Sequence, residues 1–408
     1  YAPPVSRWKL TWWSVWTANL ITAIGMMSFL PYFPTHLEAL GMSERDDVAL
    51  WAGLCYGAAP FSAALTSPLW GVLGDRVGRK IMVVRSLLAI TVFVGLMYFA
   101  RTPAQLLVLR VLQGAFSGFA APSLTLVSVG APLGEQGRLS GALQTAMAAG
   151  TVLGPVLGAL LVPWIGCADV FLVVSALSFA SALLVVVWAH EEHGLRAPAR
   201  PWRGIGPAWA GLRRDLGATL ESPRLRAALA IVFFVQFGLG ATNPILELHV
   251  RDLVADPSQW PMWTSLLFSG SALLHMLAMP AWGRWGDRHG HAHALVACAA
   301  ASALALFAHA LAAWVAMLVA ARWIFGVTMA GSAPCSFGLA ANEVPVERRG
   351  GAFGIVFGVR TMSIAVSSIA GGWASAHIGI RGVFAATAAI LLWSAWSMRR
   401  TLRAAASG

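Results

Sequence analysis

Twelve apolar stretches, each about as long as a helix that crosses a bilayer, constrain this chain more than any other feature. They lie at roughly 10–35, 48–72, 81–100, 104–130, 139–163, 169–189, 226–249, 261–283, 293–311, 314–341, 351–375 and 379–398. A helix needs about 20 mostly apolar residues to cross the hydrocarbon core. Membrane-barrel strands alternate over about 10 residues, whereas runs such as 87–100 are apolar on both faces. The sequence therefore predicts an all-α membrane protein with twelve transmembrane helices.

The scarcity of charge excludes the soluble classes. Only 11% of the residues are charged, against about 25% in soluble domains, and the mean hydropathy is +0.70. A soluble enzyme, a disordered chain and a secreted disulfide scaffold are all excluded on this ground. The four cysteines are far apart and form no CxxC pair, so we expect no metal site, disulfide framework or cofactor.

The net charge of +11 predicts an orientation. With the N-terminus placed inside the cell, 21 of the 28 basic residues fall on the inner side and four on the outer side. Basic residues concentrate on the cytoplasmic side of membrane proteins and face anionic lipid there. We therefore expect both termini in the cytoplasm and a bacterial inner-membrane location. The excess charge then needs no nucleic-acid partner.

The chain repeats itself at a shift of 212 residues. Pro68, Trp70 and Gly71 recur as Pro280, Trp282 and Gly283, and the match continues without gaps through Arg110 and Arg322, Gly114 and Gly326, and Pro122 and Pro334. We predict two six-helix halves, 1–189 and 226–408, joined by a cytoplasmic linker at 190–225. Parallel halves of this kind are a transporter architecture with the substrate site between them.

The loop at 71–80 carries the most specific motif. Its glycines permit a tight turn, and Asp75 is an acid among bases at a membrane face, where the start of a neighbouring helix could attract it. An ordinary basic loop is the alternative. The loop matches the signature G-x-x-x-D-R/K-x-G-R-R/K of the major facilitator superfamily, which the chain resembles over its full length. The predicted switch residues are Gly71, Gly74, Asp75, Arg76, Gly78, Arg79, Lys80, Gly286, Asp287 and Arg288.

Three further motifs resemble the twelve-helix drug–proton antiporter branch of that superfamily. They are the prolines ending the first span at 30–34, an R-x-x-Q-G pattern at 110–114, and G-x-x-x-G-P-x-x-G at 150–158. The resemblance implies two pseudo-symmetric six-helix bundles, export and a monomer. The antiporter motif consists of Gly150, Gly154, Pro155 and Gly158. Small residues at this spacing let helices approach closely, either at a moving interface between the halves or in static packing.

Charged groups within the spans limit the mechanism. An arginine at mid-membrane costs ~2.5–3.5 kcal/mol, so Arg110, Arg322 and Arg360 should each face a wet cavity or a partner, or form a fixed bridge to backbone carbonyls. The resemblance links Arg110 to proton coupling. None of the 17 carboxylates lies clearly mid-span, which favours an anionic or neutral substrate over a cation. Glu38 and Glu247, at span ends, are either titrating groups or interfacial residues.

Polar and bulky residues within the spans are candidates for a substrate cavity, although each could instead pack in the core or face lipid. They are Asn19, Met26, Tyr32, Gln113, Phe116, Phe233, Gln236, Asn243, Arg322, Phe325 and Arg360. We expect proton-linked export of a small amphipathic or weakly anionic molecule, either a drug or an endogenous product such as a siderophore. Import of a small metabolite by the same fold is the alternative. The expected partners are this substrate, protons and the lipid bilayer.

Overall fold

The computed structural model describes residues 6–118, 120–130, 135–191, 206, 210, 213, 216–217, 221–344 and 349–407. These residues form helices and no strand. The helices are α1 (Ser6–Phe29), α2 (Phe33–Ala39), α3 (Arg45–Val77), α4 (Arg79–Met97), α5 (Pro103–Phe116), α6 (Ala120–Gly130), α7 (Gln136–Trp188), α8 (Pro223–Leu253), α9 (Trp260–His289), α10 (His291–Ala310), α11 (Val315–Met329), α12 (Ser332–Glu343) and α13 (Arg349–Ser407).

Two helical segments are too long for a single crossing. Among the described residues, nine segments are long and apolar enough to span a membrane, and two of these contain 48 and 51 residues. About 20 residues suffice for one span. Gly166 in α7 has a φ of 80° and Gly379 in α13 a φ of 70°, a conformation that breaks the helix and that side chains rarely adopt. Each segment is therefore two spans joined at a glycine.

The contacts of α7 show that it folds back on itself. Near its start, the carbonyl of Ala142 accepts a hydrogen bond from Trp16 Nε1 at 3.0 Å. Just after its end, the amide of His190 donates to Thr11 Oγ1 at 2.9 Å. Both ends of α7 thus lie beside the start of α1, and the chain reverses at Gly166.

The second long helix, α13, reverses in the same way. Its first leg meets α8 where the Ser363 hydroxyl donates to the carbonyl of Phe233 at 2.5 Å. Its second leg meets α8 where the rings of Trp393 and Phe234 lie 6.3 Å apart. We refer to the end of the molecule that holds Gly166 and Gly379 as the hairpin end, and to the opposite end, which holds the starts of α1 and α8, as the terminal end.

Two other predicted spans are interrupted. The span at 104–130 is broken after Phe116, and the span at 314–341 is broken between α11 and α12. Both breaks come just before a proline, Pro122 or Pro334, which lacks a backbone donor and is tolerated only in the first turn of a helix. With α5–α6 and α11–α12 counted as one crossing each, the described helices are consistent with the twelve predicted crossings.

The 212-residue repeat is visible in individual contacts. Trp70 Nε1 donates to the carbonyl of Ala115 at 2.6 Å, and its counterpart Trp282 donates to Val327 at 2.8 Å. The connection between α3 and α4 is the single residue Gly78, with a φ of 111°, and α9 and α10 are joined by Gly290, with a φ of 92°. The two halves therefore share side-chain packing as well as topology.

The halves pack on each other through α3 against α13 and through α7 against α9. Each half has its own apolar core, but a third cluster combines N-terminal residues such as Phe33 with Ala241, Ile245, Leu248 and Val383 from the C-terminal half. This shared core lies at the hairpin end. The exact division between the halves stays a prediction, because most of 190–225 lies outside the described residues.

Candidate transport site

A buried carboxylate lies where the two halves meet at the hairpin end. Glu247 on α8 is only 2% exposed, and its Oε1 accepts hydrogen bonds from the Thr35 hydroxyl on α2 and from Arg251 Nη2, the latter at 3.0 Å. Arg251 also donates to Thr35 Oγ1 at 2.7 Å and, through Nη1, to Glu38 Oε1 at 2.6 Å. Four side chains from α2 and α8 thus form one network that joins the halves, which we call the junction cluster.

The junction cluster contains a group that can change charge. Oε1 of Glu247 accepts hydrogen bonds from Thr35 and Arg251, whereas Oε2 is buried without a hydrogen-bond partner. Burial disfavours the ionised carboxylate, and the guanidinium of Arg251 favours it. The ionisation of Glu247 therefore depends on how closely Arg251 approaches it.

Three more polar contacts join the halves beside this cluster. Arg45 at the start of α3 forms an ion pair of 2.5 Å with Asp252 and donates to the carbonyl of Leu248 at 3.2 Å. The Tyr32 hydroxyl lies within hydrogen-bond distance of the carbonyl of Pro261 on α9, at 3.2 Å. All of these residues lie at the hairpin end.

Glycines bring α3 and α13 into close contact at the same end. A Cβ atom on Gly53 would lie less than 3.0 Å from the carbonyl oxygen of Ser368 and 3.2 Å from Gly372 Cα. A Cβ on Gly57 would likewise meet the carbonyl of Ala365. Only hydrogen at these positions allows the two backbones to approach so closely.

Among the described residues, close contacts between the halves are found at the hairpin end. Side-chain hydrogen bonds there join residues near Tyr32 to Arg45 with residues near Glu247 to Pro261. Near the start of α13, the point where a Cβ on Gly354 or Gly358 would be has no described atom within 4 Å outside the helix's own backbone.

Arg110 on α5 is buried, with 2% of its surface exposed. Its Nε donates to the carbonyl of Cys55 on α3 at 2.9 Å, and its Nη1 donates to Gln113 Oε1. Gln113 in turn lies 3.4 Å from the sulfur of Met26 on α1. The bond to the Cys55 carbonyl matches the predicted bridge to backbone, and the predicted role of Arg110 at a wet cavity stays a prediction.

Arg322 on α11 is the repeat counterpart of Arg110 in the other half, but its partners differ. It is also 2% exposed, and it donates to Thr242 Oγ1 at 3.3 Å and to Asn243 Oδ1 on α8. Its Nε is buried without a partner. Tyr56, whose hydroxyl is also buried and unpartnered, lies within electrostatic range of Arg110, Arg322 and Glu247.

The other predicted cavity residues divide into two groups. Asn19 ties α1 to α6 through Ser123 Oγ at 3.1 Å, and Gln236 on α8 is 3% exposed with an unpartnered Oε1. Phe325 is fully buried beside Arg322. Three predicted residues lie elsewhere: Phe116 packs on Trp70, Phe233 packs on Phe234 and Phe237, and Arg360 donates to Ser332 Oγ on α12 at 3.3 Å.

The antiporter-motif glycines pack within one half. A Cβ on Gly150 would meet Ala23, and one on Gly154 would lie 2.7 Å from the carbonyl of Ile24, both on α1. Gly158 lies against Ser28 on the same helix. The glycine face of α7 thus packs against α1 within one half, as the static-packing alternative predicts. The close contact between the halves is formed instead by Gly53 and Gly57 on α3.

The predicted switch loop is shorter than the sequence indicates. Helix α3 continues through Gly71 and Gly74 to Val77, so Gly78 alone makes the turn. The carboxylate of Glu191 accepts hydrogen bonds from the amides of Arg79 and Lys80 at 2.8 and 3.0 Å, which caps the start of α4. The side chains of Asp75 and Arg76 lie outside the described residues. In the second copy, Asp287 lies 3.4 Å from His291.

The comparisons with known proteins agree with this geometry. A family model described as Major Facilitator Superfamily matches residues 15–238 and again 228–406, so it covers both halves of the repeat. The chain belongs to this superfamily. It is a transporter and not an enzyme, and the predicted resemblance to the drug–proton antiporter branch is confirmed by the proteins that it matches.

Among its relatives in the superfamily, the chain is 28% identical over 404 residues to the multidrug resistance protein MdtG of Rahnella sp. strain Y9602, covering 98% of this chain and 96% of that protein. It is 27% identical over 403 residues to MdtG of Proteus mirabilis strain HI4320, covering 98% of each. The solved structure of the nucleoside transporter NupG shares the fold at a TM-score of 0.78 and 14% identity, covering 96% of this chain and 99% of that one.

Several residues of the candidate site in this transporter were not predicted from the sequence. Thr35 and Arg251 complete the junction cluster, and Tyr56 lies within electrostatic range of both buried arginines. The repeat offered a signal for one of them, since Thr35 and Glu247 are 212 residues apart and occupy the same position in the two halves. Arg251, four residues after Glu247 on the same helix, is an i,i+4 partner that the sequence also displays.

Proposed function

We propose that this chain exports small amphipathic molecules, including drug-like compounds, in exchange for protons by alternating access. The relatives at 27–28% identity are named as multidrug resistance proteins, and the glycine–proline motif at 150–158 resembles that of antiporters. An endogenous product such as a siderophore is a second substrate class of the same amphipathic kind. We further propose that the transporter works as a monomer in a bacterial inner membrane.

The distribution of charge supports an orientation for this cycle. The tips at Gly166 and Gly379 belong to the side that carries four of the 28 basic residues, while both termini belong to the side that carries 21. By the positive-inside rule the hairpin end faces outward. We propose that this conformation is closed to the outside and receives the molecule for export from the cytoplasmic side. We place the division between the halves in the predicted linker, 190–225.

The observation that carries the proton-coupling proposal is the burial of Glu247 against Thr35 and Arg251. Arg110, which the family resemblance links to proton coupling, bonds an amide and a carbonyl oxygen instead of a carboxylate. When the halves part at the hairpin end, Glu247 becomes accessible from the more acidic outside and takes up a proton. The neutral acid is cheaper to bury again than the carboxylate, so the halves close with the proton bound. Glu247 then releases the proton toward the cytoplasm when its ion pair with Arg251 re-forms, because the guanidinium favours the carboxylate.

Transport in everted membrane vesicles tests this proposal. A fluorescent amphipathic dye should accumulate when the vesicle interior is acidified, and a protonophore should abolish the accumulation. Glu247→Gln should lower gradient-driven accumulation at least about tenfold, which corresponds to about 1.4 kcal/mol of lost coupling, while counterflow exchange of the dye without a gradient persists. Glu38→Gln is the matched control: it removes a carboxylate from the same arginine, but one that is 42% exposed, and it should keep proton-driven transport.

Two results would contradict the proposal. Normal gradient-driven accumulation by Glu247→Gln would remove Glu247 from proton coupling. Uptake confined to right-side-out vesicles would overturn export in favour of import.

A further inference from the structure

The two arginines at matching positions of the repeat lack a counter-charge. Arg110 and Arg322 are each 2% exposed, yet their hydrogen bonds go to amide, hydroxyl and carbonyl oxygens. Among the described residues, none of the ion pairs within 4.0 Å involves either guanidinium. A buried charge without a partner is strongly unfavourable, so the site is electrostatically incomplete as it stands.

Unused hydrogen-bond donors lie in the same region. Nε of Arg322 and the hydroxyl of Tyr56 are buried without a partner. Tyr56 lies within electrostatic range of both arginines, and it is the residue after Cys55, whose carbonyl binds Arg110. Its repeat counterpart, 212 residues on, is Phe268, which lies under Arg322 at 5.6 Å and has no hydroxyl. Of the repeat counterparts Tyr56 and Phe268, only Tyr56 therefore offers a hydroxyl donor.

Aromatic rings surround both cations. The guanidinium carbon of Arg110 lies 5.9 Å from the ring centre of Phe29 and 5.4 Å from that of Phe33. The guanidinium carbon of Arg322 lies 5.5 Å from the ring centre of Phe325. Apolar surroundings lower the local dielectric constant and strengthen the attraction of any anion for these groups.

We infer that Arg110, Arg322 and Tyr56 form a clamp for the ionised acid group of the transported molecule, so that the substrates of this site are organic anions with an apolar body. A planar guanidinium binds a carboxylate, sulfonate or phosphonate through paired hydrogen bonds. The phenylalanines contact the apolar body. Calling the bound anion a substrate rests on the proposed export function, but its binding does not.

Equilibrium binding to the full-length protein in lipid nanodiscs, without a proton gradient, tests the clamp. The probes are 1-naphthoate, 1-naphthamide and a naphthylmethyl-trimethylammonium ion, which share an aromatic body and differ in charge. We expect the carboxylate to bind at least about tenfold more tightly than the amide, because a hydrogen bond to a charged group contributes roughly a 10- to 100-fold change in affinity. The cation should bind most weakly of the three.

Substitutions separate the clamp from general packing. Arg110→Gln and Arg322→Gln should each weaken naphthoate binding about 10- to 100-fold, with the affinity for naphthamide changed less than about threefold. Arg110→Lys keeps the charge and loses the paired donors, so its affinity for naphthoate should fall less than that of Arg110→Gln. Arg110→Lys replaces the glutamine variant in the test if that variant does not fold. Arg85→Gln is the matched control, because Arg85 also lies on an aromatic ring, that of Trp70 at 3.5 Å, but outside the clamp.

Three outcomes would overturn the inference. Equal affinities for naphthoate and naphthamide would show that no acid group is recognised. Loss of naphthoate binding in Arg85→Gln as large as in Arg110→Gln would assign the effect to general packing. A tenfold weakening of naphthoate binding by added chloride would assign the site to an inorganic anion. Naphthoate binding without gradient-driven transport in vesicles would contradict the proposed function and leave the clamp intact.

Discussion

A single methyl group at Gly53 should shift the balance between the two conformations of this transporter. In Gly53→Ala, the added Cβ would lie less than 3.0 Å from the carbonyl oxygen of Ser368 on α13, closer than the carbon–oxygen distance of about 3.3 Å at which such contacts begin. Because α3 and α13 belong to different halves, the clash exists only while the hairpin end is closed. Overpacking of this kind costs about 1–3 kcal/mol, which favours the conformation open at the hairpin end about 5- to 150-fold.

Distances between spin labels on the two halves measure this shift. Ser43 before α3 and Ala255 after α8 are both exposed at the hairpin end, and they can be changed to cysteine after the four native cysteines are replaced. Gly53→Ala should move population from the short-distance to the long-distance component. The higher helix propensity of alanine acts equally in both conformations, so it does not contribute to the shift.

Two other glycines provide matched controls. Gly150→Ala creates a clash of the same severity with Ala23, but inside one half, so it should lower thermal stability without changing the label distances. Gly358→Ala adds a methyl group in open space and should leave the label distances unchanged. An unchanged distance distribution in Gly53→Ala, or the same change in Gly150→Ala, would refute the assignment of the α3–α13 contact as the closing surface.

Three smaller perturbations test the surrounding structure. Arg45→Ala removes an ion pair whose side chains are 52% and 35% exposed. Since exposed pairs contribute less than about 1 kcal/mol, the ratio of the short-distance to the long-distance population should change less than about fivefold. A larger change in this ratio would contradict the prediction. Glu191→Ala removes the cap of α4, which should cost about 1 kcal/mol and lower the apparent unfolding temperature. Trp70→Phe and Trp282→Phe should lower that temperature by similar amounts, because each removes one repeat-related hydrogen bond.

The fold was largely predictable because lipid imposes a simple rule. Every buried backbone group must be satisfied within its own segment, so apolar length alone locates the spans. The repeat then predicted that Trp70 and Trp282, and likewise Arg110 and Arg322, occupy equivalent positions in the two halves. The breaks after Phe116 and before Ser332 were missed, because a proline in a long apolar run does not reveal where the helix will restart.

The site was less predictable because its contacts join residues far apart in the chain. Glu247 was identified as a titrating candidate from its place at a span end, but its partner Thr35 lies 212 residues away. Hydropathy also could not separate a glycine that packs within one half, such as Gly150, from one that packs between halves, such as Gly53. Both occur at helical spacing in apolar surroundings, and only the tertiary arrangement distinguishes them.

The repeat is preserved where the substrate is proposed to bind and broken where the proton is proposed to act. Arg110 and Arg322 are equivalent positions of the repeat, and both are buried beside phenylalanine rings, so each half contributes one cation to the proposed clamp. At the junction cluster the equivalent positions carry Thr35 and Glu247, and only one of them ionises. Two acids at these positions would face each other across the closing interface, where like charges would oppose closure. A single acid opposite a hydroxyl allows closure in both protonation states, and it gives the cycle one group whose charge depends on the side to which it is exposed.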